Sequence, residues 1–92
     1  MRIKVCRKYW ELLFTDLDEE TRGECDSPDT HQKQIRICSS VKGEEELEVL
    51  LHELLHAADW SKDEEWVEDA SCDIARILCK LGWKRGDKNE DV

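Results

Sequence analysis

No apolar run in the sequence approaches the roughly 18 to 20 residues that cross a bilayer, and runs such as Leu50-Leu51 and Leu54-Leu55 are far too short. A membrane-spanning helix is therefore not expected. The opening residues, Met1-Arg2-Ile3-Lys4-Val5-Cys6-Arg7-Lys8, do not continue into the uninterrupted apolar stretch of a secretory signal, so a cytoplasmic protein is the expectation. Positive charge is also short, with 14 Lys and Arg against 23 Asp and Glu and a net charge of −9. That balance disfavours binding to nucleic-acid phosphates and anionic lipid, and neither nucleic acid nor membrane is an expected partner. The basic start at Arg2, Lys4, Arg7 and Lys8 reads as a solvated strand face. Cys-x-x-Cys pairs are absent as well. Cys6, Cys25, Cys38, Cys72 and Cys79 are odd in number, which argues against a disulfide framework or a compact zinc knuckle and for reduced thiols that mostly fill the core.

The 92 residues suffice for one domain, 1–92. An apolar share of 39% with four tryptophans places the chain in the folded class despite its acidity. Apolar residues alternate at Ile3 and Val5 and again at Trp10, Leu12 and Phe14, which predicts a hairpin turning near Arg7-Lys8. Residues 16–33 carry Gly23 and Asp26-Ser27-Pro28-Asp29 and read as a long loop. Gln34-Ile35-Arg36-Ile37-Cys38 alternates again as a third strand, either interior to the sheet or an edge that pairs with an extended peptide.

Beyond Ser40 the period changes from two to about 3.6. Leu47, Leu50, Leu51, Leu54 and Leu55 or Ala58 form a stripe, with Glu44, Glu45, Glu46 and Glu48 in the first turns, predicting a helix from Glu44 to Ala57 or Ala58. Ser61 with Glu64 makes a capping box for a second helix, which would bury Trp66, Ala70, Ile74, Ile77 and Leu81 and stop at Gly82. Trp10 and Trp66 are expected in or at the edge of the core, Trp60 partly exposed, and Trp83 at the bottom of the core. The charged residues 84–92 are expected to fray. The architecture predicted is α+β: a small three-stranded sheet, made of the hairpin plus one strand, against an antiparallel helix pair.

The first helix contains His52-Glu53-Leu54-Leu55-His56. Histidines four residues apart share a helix face and converge on one divalent ion, and Glu53 beside them reaches water on that ion. Two of the three histidines in the chain occupy this spacing. A catalytic zinc takes three protein ligands and a water. Counting back and forward from a turn near residue 60 brings Glu68 level with the histidines, with Glu65 and Cys72 as competitors. Asp59 follows His56 too soon to ligate, and closes the turn or supports a histidine from outside the ligand set.

Residues Leu50 to Leu78 resemble the two-helix core of gluzincin-type zinc metallopeptidases, in particular the compact ImmA/IrrE-like and SprT-like domains carried by phages and mobile elements. The whole chain resembles small phage proteins of similar layout. The resemblance implies a minimal zincin-like core with Zn2+ held by His52, His56 and Glu68, and Ser71, Ile74 and Ala75 in the small-and-apolar positions that follow. It implies hydrolysis of peptide bonds in a peptide or protein substrate through a metal-bound water, with Glu53 as general base. Such enzymes also use a Tyr, His or Arg to steady the oxyanion, for which Tyr9 and His31 are the available Tyr and His. Two other readings stand beside it: a non-catalytic protein with a structural zinc between the helices, and a metal-free packing or interaction module. A homo-oligomer or a protein partner that completes a cleft is compatible with each.

Overall fold

The computed structural model describes residues 1–86 and runs β1 (Arg2–Val5), β2 (Lys8–Thr15), β3 (Gly23–Cys25), β4 (Gln34–Cys38), α1 (Gly43–Ala58) and α2 (Glu64–Lys80). The class is α+β as expected, but the sheet has four strands in the order β1-β2-β4-β3 rather than three. β1 and β2 form the antiparallel hairpin, with Val5 opposite Lys8. Its turn residues are Cys6 and Arg7, one position earlier than expected, and both have positive φ, at 47° and 72°. That pair of left-handed residues matches the twist that a two-residue hairpin requires.

β4 lies parallel to β2 and antiparallel to β3. It is thus an interior strand, and the outer edge on that side belongs to β3. The added strand comes from the segment read as loop. Its three residues, Gly-Glu-Cys, carry no alternating apolar pattern, and tertiary partners hold it instead. The Arg36 guanidinium on β4 donates to Glu24 at 3.0 Å and to Asp26 at 2.8 Å, which clamps β3 and the residue after it. The Arg36 hydrogen bond also draws the Asp26 carboxyl below the usual carboxylate range.

Trp10, Leu12, Ile35, Ile37, Val41 and Ala57 form the core, with Leu50 and Leu54 packed against it. Trp10 is buried as expected, and its indole N–H has no hydrogen-bond partner among the described residues. On α1 the stripe closes at Ala57, while Ala58 is exposed. α1 lies on the sheet and α2 lies against α1, without close backbone approach of α2 to any strand. This arrangement overturns the expected phase of α2. Val67, Ser71 and Ala75 are its buried residues, whereas Trp66, Ile74, Ile77 and Leu81 are exposed. Small side chains let the two helices approach closely, and the larger ones are left on the outer side.

The cap of α2 also differs. Asp63, not Ser61, accepts from the Trp66 amide at 2.9 Å, and Ser61 is instead bound to Asp59. At the other end the expected stop holds. Gly82 has φ +91°, and the Trp83 and Gly82 amides donate to Leu78 and Cys79 carbonyls, a Schellman ending. Trp83 itself is mostly exposed rather than closing the core. Of the charged tail, everything beyond Gly86 lies outside the described residues, while Arg85 is held against Glu46 at 2.7 Å and over the Phe14 ring at 3.9 Å. All five cysteines are free. Cys6 is exposed and the others are partly buried, so none is a fully buried core residue. No helix among the described residues is long and apolar enough to cross a membrane.

Candidate metal centre

The first two site residues follow from helix geometry alone. Residues four apart on α1 stack on one face, and His52 and His56 turn their Nε2 atoms toward each other at 3.2 Å. The third group comes from the first turn of α2. The Glu64 carboxylate spans the pair, with Oε1 at 2.7 Å from His52 Nε2 and Oε2 at 3.0 Å from His56 Nε2. Ligand atoms of the three residues lie within 4.8 Å of one another.

The separation of the two imidazole nitrogens fits a metal. A tetrahedral zinc with bonds of about 2.0 to 2.1 Å places neighbouring ligand atoms about 3.3 Å apart, close to the 3.2 Å between the imidazole nitrogens. The donor chemistry fits as well. Without an ion each imidazole can donate an Nε2–H to its own Glu64 oxygen, and with both Nε2 atoms deprotonated the three groups offer only acceptors, the set that holds a cation. Imidazole and carboxylate together suit zinc and its first-row neighbours.

Glu68, the third ligand expected from the sequence, stands one turn beyond Glu64. Its carboxylate is 3.7 Å from His52 Nδ1, on the opposite side of the ring from the Nε2 cluster. At that distance the Glu68 carboxylate makes no hydrogen bond to the ring and stands beside it as a nearby negative charge. Glu65 is exposed on α2, and neither it nor Cys72 joins the cluster. The Asp59 carboxylate is taken by Ser61, accepting from its hydroxyl at 2.6 Å and its amide at 3.1 Å, so it closes the turn.

Glu53 is 8% exposed although its side chain is ionisable. Burial raises its carboxyl from 4.5 to about 7, opposed by the neighbouring His52 and reinforced by Glu64. Residues with such poised carboxyls serve in proton transfer near neutral pH. Glu53 forms one wall of a cleft of about 530 Å³ together with Gly23, Cys25, His52, His56, Trp60, Lys62 and Glu64. Gly23 is what brings β3 against this wall. A Cβ there would stand 2.8 Å from Val49 Cγ1 and 3.0 Å from Glu53 Oε2. Cys25, the other strand residue in the cleft, has its thiol pushed up to about 12 by burial and by the Glu53 charge.

Lys62 is the basic side chain of the cleft, and its Nζ is 4.9 Å from the Trp66 ring. Tyr9 and His31 do not line it. Tyr9 faces a different hollow, under Arg2, and His31 is exposed in the loop before β4.

Glu64, not the expected Glu68, is the carboxylate that the fold brings to the two histidines. The signal was present in the Asp63-Glu64 pair, since an Asp N-cap at 63 instead of Ser61 puts Glu64 at the first helical position, facing back to α1. Gly23 carried no such signal, because its role is a contact between segments 30 residues apart. Comparison of the chain with family models, with curated proteins and with solved structures finds no match in any of the three.

Proposed function

We propose that the protein is a zinc-dependent metallopeptidase in which His52, His56 and Glu64 hold the metal and Glu53 is the general base. The observation that carries this reading is the buried Glu53 carboxylate in the same cleft as three converging ligand groups. A bound zinc supplies Lewis acidity for an attacking water and a scissile carbonyl. Glu53 takes the proton of that water as its oxygen bonds to the carbonyl carbon, then gives it to the departing amine as the C–N bond breaks. The outer edge of β3 beside the cleft offers backbone groups to an extended substrate, a role that Gln34–Cys38 cannot take because β4 is interior.

Metal analysis of the purified protein tests the site. About one zinc per chain is expected, strongly reduced in His52→Ala and Glu64→Ala. Glu53→Gln should keep the zinc and abolish hydrolysis of an unstructured protein substrate such as casein. No zinc uptake in the parent, or equal hydrolysis by Glu53→Gln, refutes the proposal.

The position of Tyr9 and His31 away from the cleft favours a second reading, a structural zinc that ties α2 to α1. That role predicts zinc without hydrolysis and a large loss of thermal stability on chelation.

A further inference from the structure

α2 has a second apolar face that none of the described residues covers. Trp66, Ile74, Ile77 and Leu81 are 46%, 38%, 53% and 70% exposed, and Ala70 between them is partly so. At about 100° per residue these five side chains fall within about 80° of arc. They are spaced by four, four, three and four residues, a pattern that reads nearly the same from either end about Ile74. A stripe of this kind can meet a copy of itself running the other way. Trp66 then faces Leu81 of the second copy, Ala70 faces Ile77, and Ile74 meets its own counterpart at the axis.

The charges beside the stripe have matching order. Glu65, Asp69 and Asp73 occupy the N-terminal half of one flanking edge and Arg76 and Lys80 the C-terminal half, all exposed. The two-fold rotation that makes two helices antiparallel brings this edge against itself, so each acidic half lies along a basic half. Asp69 comes opposite Lys80 of the second copy and Asp73 opposite Arg76, a residue it also binds within its own helix at 2.8 Å. We propose that α2 is a homodimer interface in which two copies pack antiparallel through Trp66, Ala70, Ile74, Ile77 and Leu81, with Asp69 and Lys80 pairing across the axis. This proposal does not rest on the metal site.

The test is analytical ultracentrifugation of the full chain from micromolar to near-millimolar concentration, in reducing buffer with chelator so that neither disulfides nor metal can bridge copies. A reversible dimer is expected. Ile77→Glu, at an exposed position and with unchanged far-UV circular dichroism, should raise the dissociation constant at least about tenfold. Lys80→Glu should weaken the dimer, and Asp69→Lys added to it should restore much of the loss, because the pair is then reversed in sign on both sides. A monomer throughout the range overturns the proposal. So does a dimer indifferent to Ile77→Glu, or a double charge variant weaker than Lys80→Glu alone.

Discussion

The approach of β3 to α1 can be tested at one atom. Gly23→Ala places a methyl group where the nearest heavy atoms are Val49 Cγ1 at 2.8 Å, Glu53 Oε2 at 3.0 Å and Glu53 Cγ at 3.1 Å. Ordinary contact between carbon atoms begins near about 3.5 Å, so the strand or the helix must yield by about 0.7 Å. Val49 is β-branched and stiff at χ1, and it cannot swing aside as a long side chain would. Forced insertion of one methyl into packed surroundings costs about 1 to 3 kcal/mol. Loss of glycine freedom in the unfolded chain returns about 0.4 to 1 kcal/mol, because φ at Gly23 is not in the left-handed region. The expected net destabilisation is about 1 to 2 kcal/mol, read by urea unfolding with m held equal. Gly86→Ala, with nothing near its Cβ among the described residues, is the control and should lie within about 0.5 kcal/mol of the parent. Val49→Ala removes the atom that the new methyl meets, so the Gly23→Ala penalty should shrink in that background, a favourable coupling in the double-mutant cycle. Gly23→Ala as stable as the parent, or a penalty unchanged by Val49→Ala, refutes the argument that close packing of β3 on α1 selects glycine.

Glu53 makes stability depend on pH in the metal-free protein. Its folded carboxyl sits at about 7 against 4.5 for an unperturbed one, so between those values the folded chain keeps a proton that the unfolded chain releases, and stability falls as pH rises through the window. At about 1.4 kcal/mol per pH unit the full cost is about 3 kcal/mol above pH 7. With chelator present, Glu53→Gln should therefore be more stable than the parent by about 2 to 3 kcal/mol at pH 8 and nearly equal to it at pH 4, and a gap that does not widen with pH overturns this account. Cys25, its thiol raised to about 12, should be the slowest cysteine to react with iodoacetamide at pH 8, while Cys38, lowered by its hydrogen bond to Ser40, should react early; peptide mass mapping that finds Cys25 labelled as fast as Cys38 contradicts the burial. Removing the α2 cap by Asp63→Ala should cost about 1 kcal/mol in urea unfolding, and more than Ser61→Ala, the reverse order pointing back to a cap at Ser61.

Much of the fold is legible where local chemistry decides it. The hairpin, β4, both helices and the stop at Gly82 all follow from period, propensity and backbone freedom. β3 was not legible, because a three-residue strand of Gly, Glu and Cys carries no period and is held by Arg36 and by the surface of α1. The cap at Asp63 was hidden by Ser61, which offers an equally good signature two residues earlier. Because one turn of helix separates Glu64 from Glu68, that small change of start point also exchanged the carboxylate at the Nε2 cluster.

The α2 face shows the same limit more sharply. Counting apolar residues selects Trp66, Ala70, Ile74, Ile77 and Leu81, yet the helix buries Val67, Ser71 and Ala75. The apolar arc of α2 is wide enough for two faces, and periodicity cannot say which one meets the neighbour.

What the sequence determines by itself is the pair His52 and His56 on one helix face with Glu53 beside them, since 3.6 residues per turn sets those positions whatever surrounds the helix. The tertiary structure alone decides that Glu64 closes the cluster, that Gly23 brings β3 over Glu53, and which side of α2 stays outside. Each of these depends on the phase and distance between separate elements, and packing sets both.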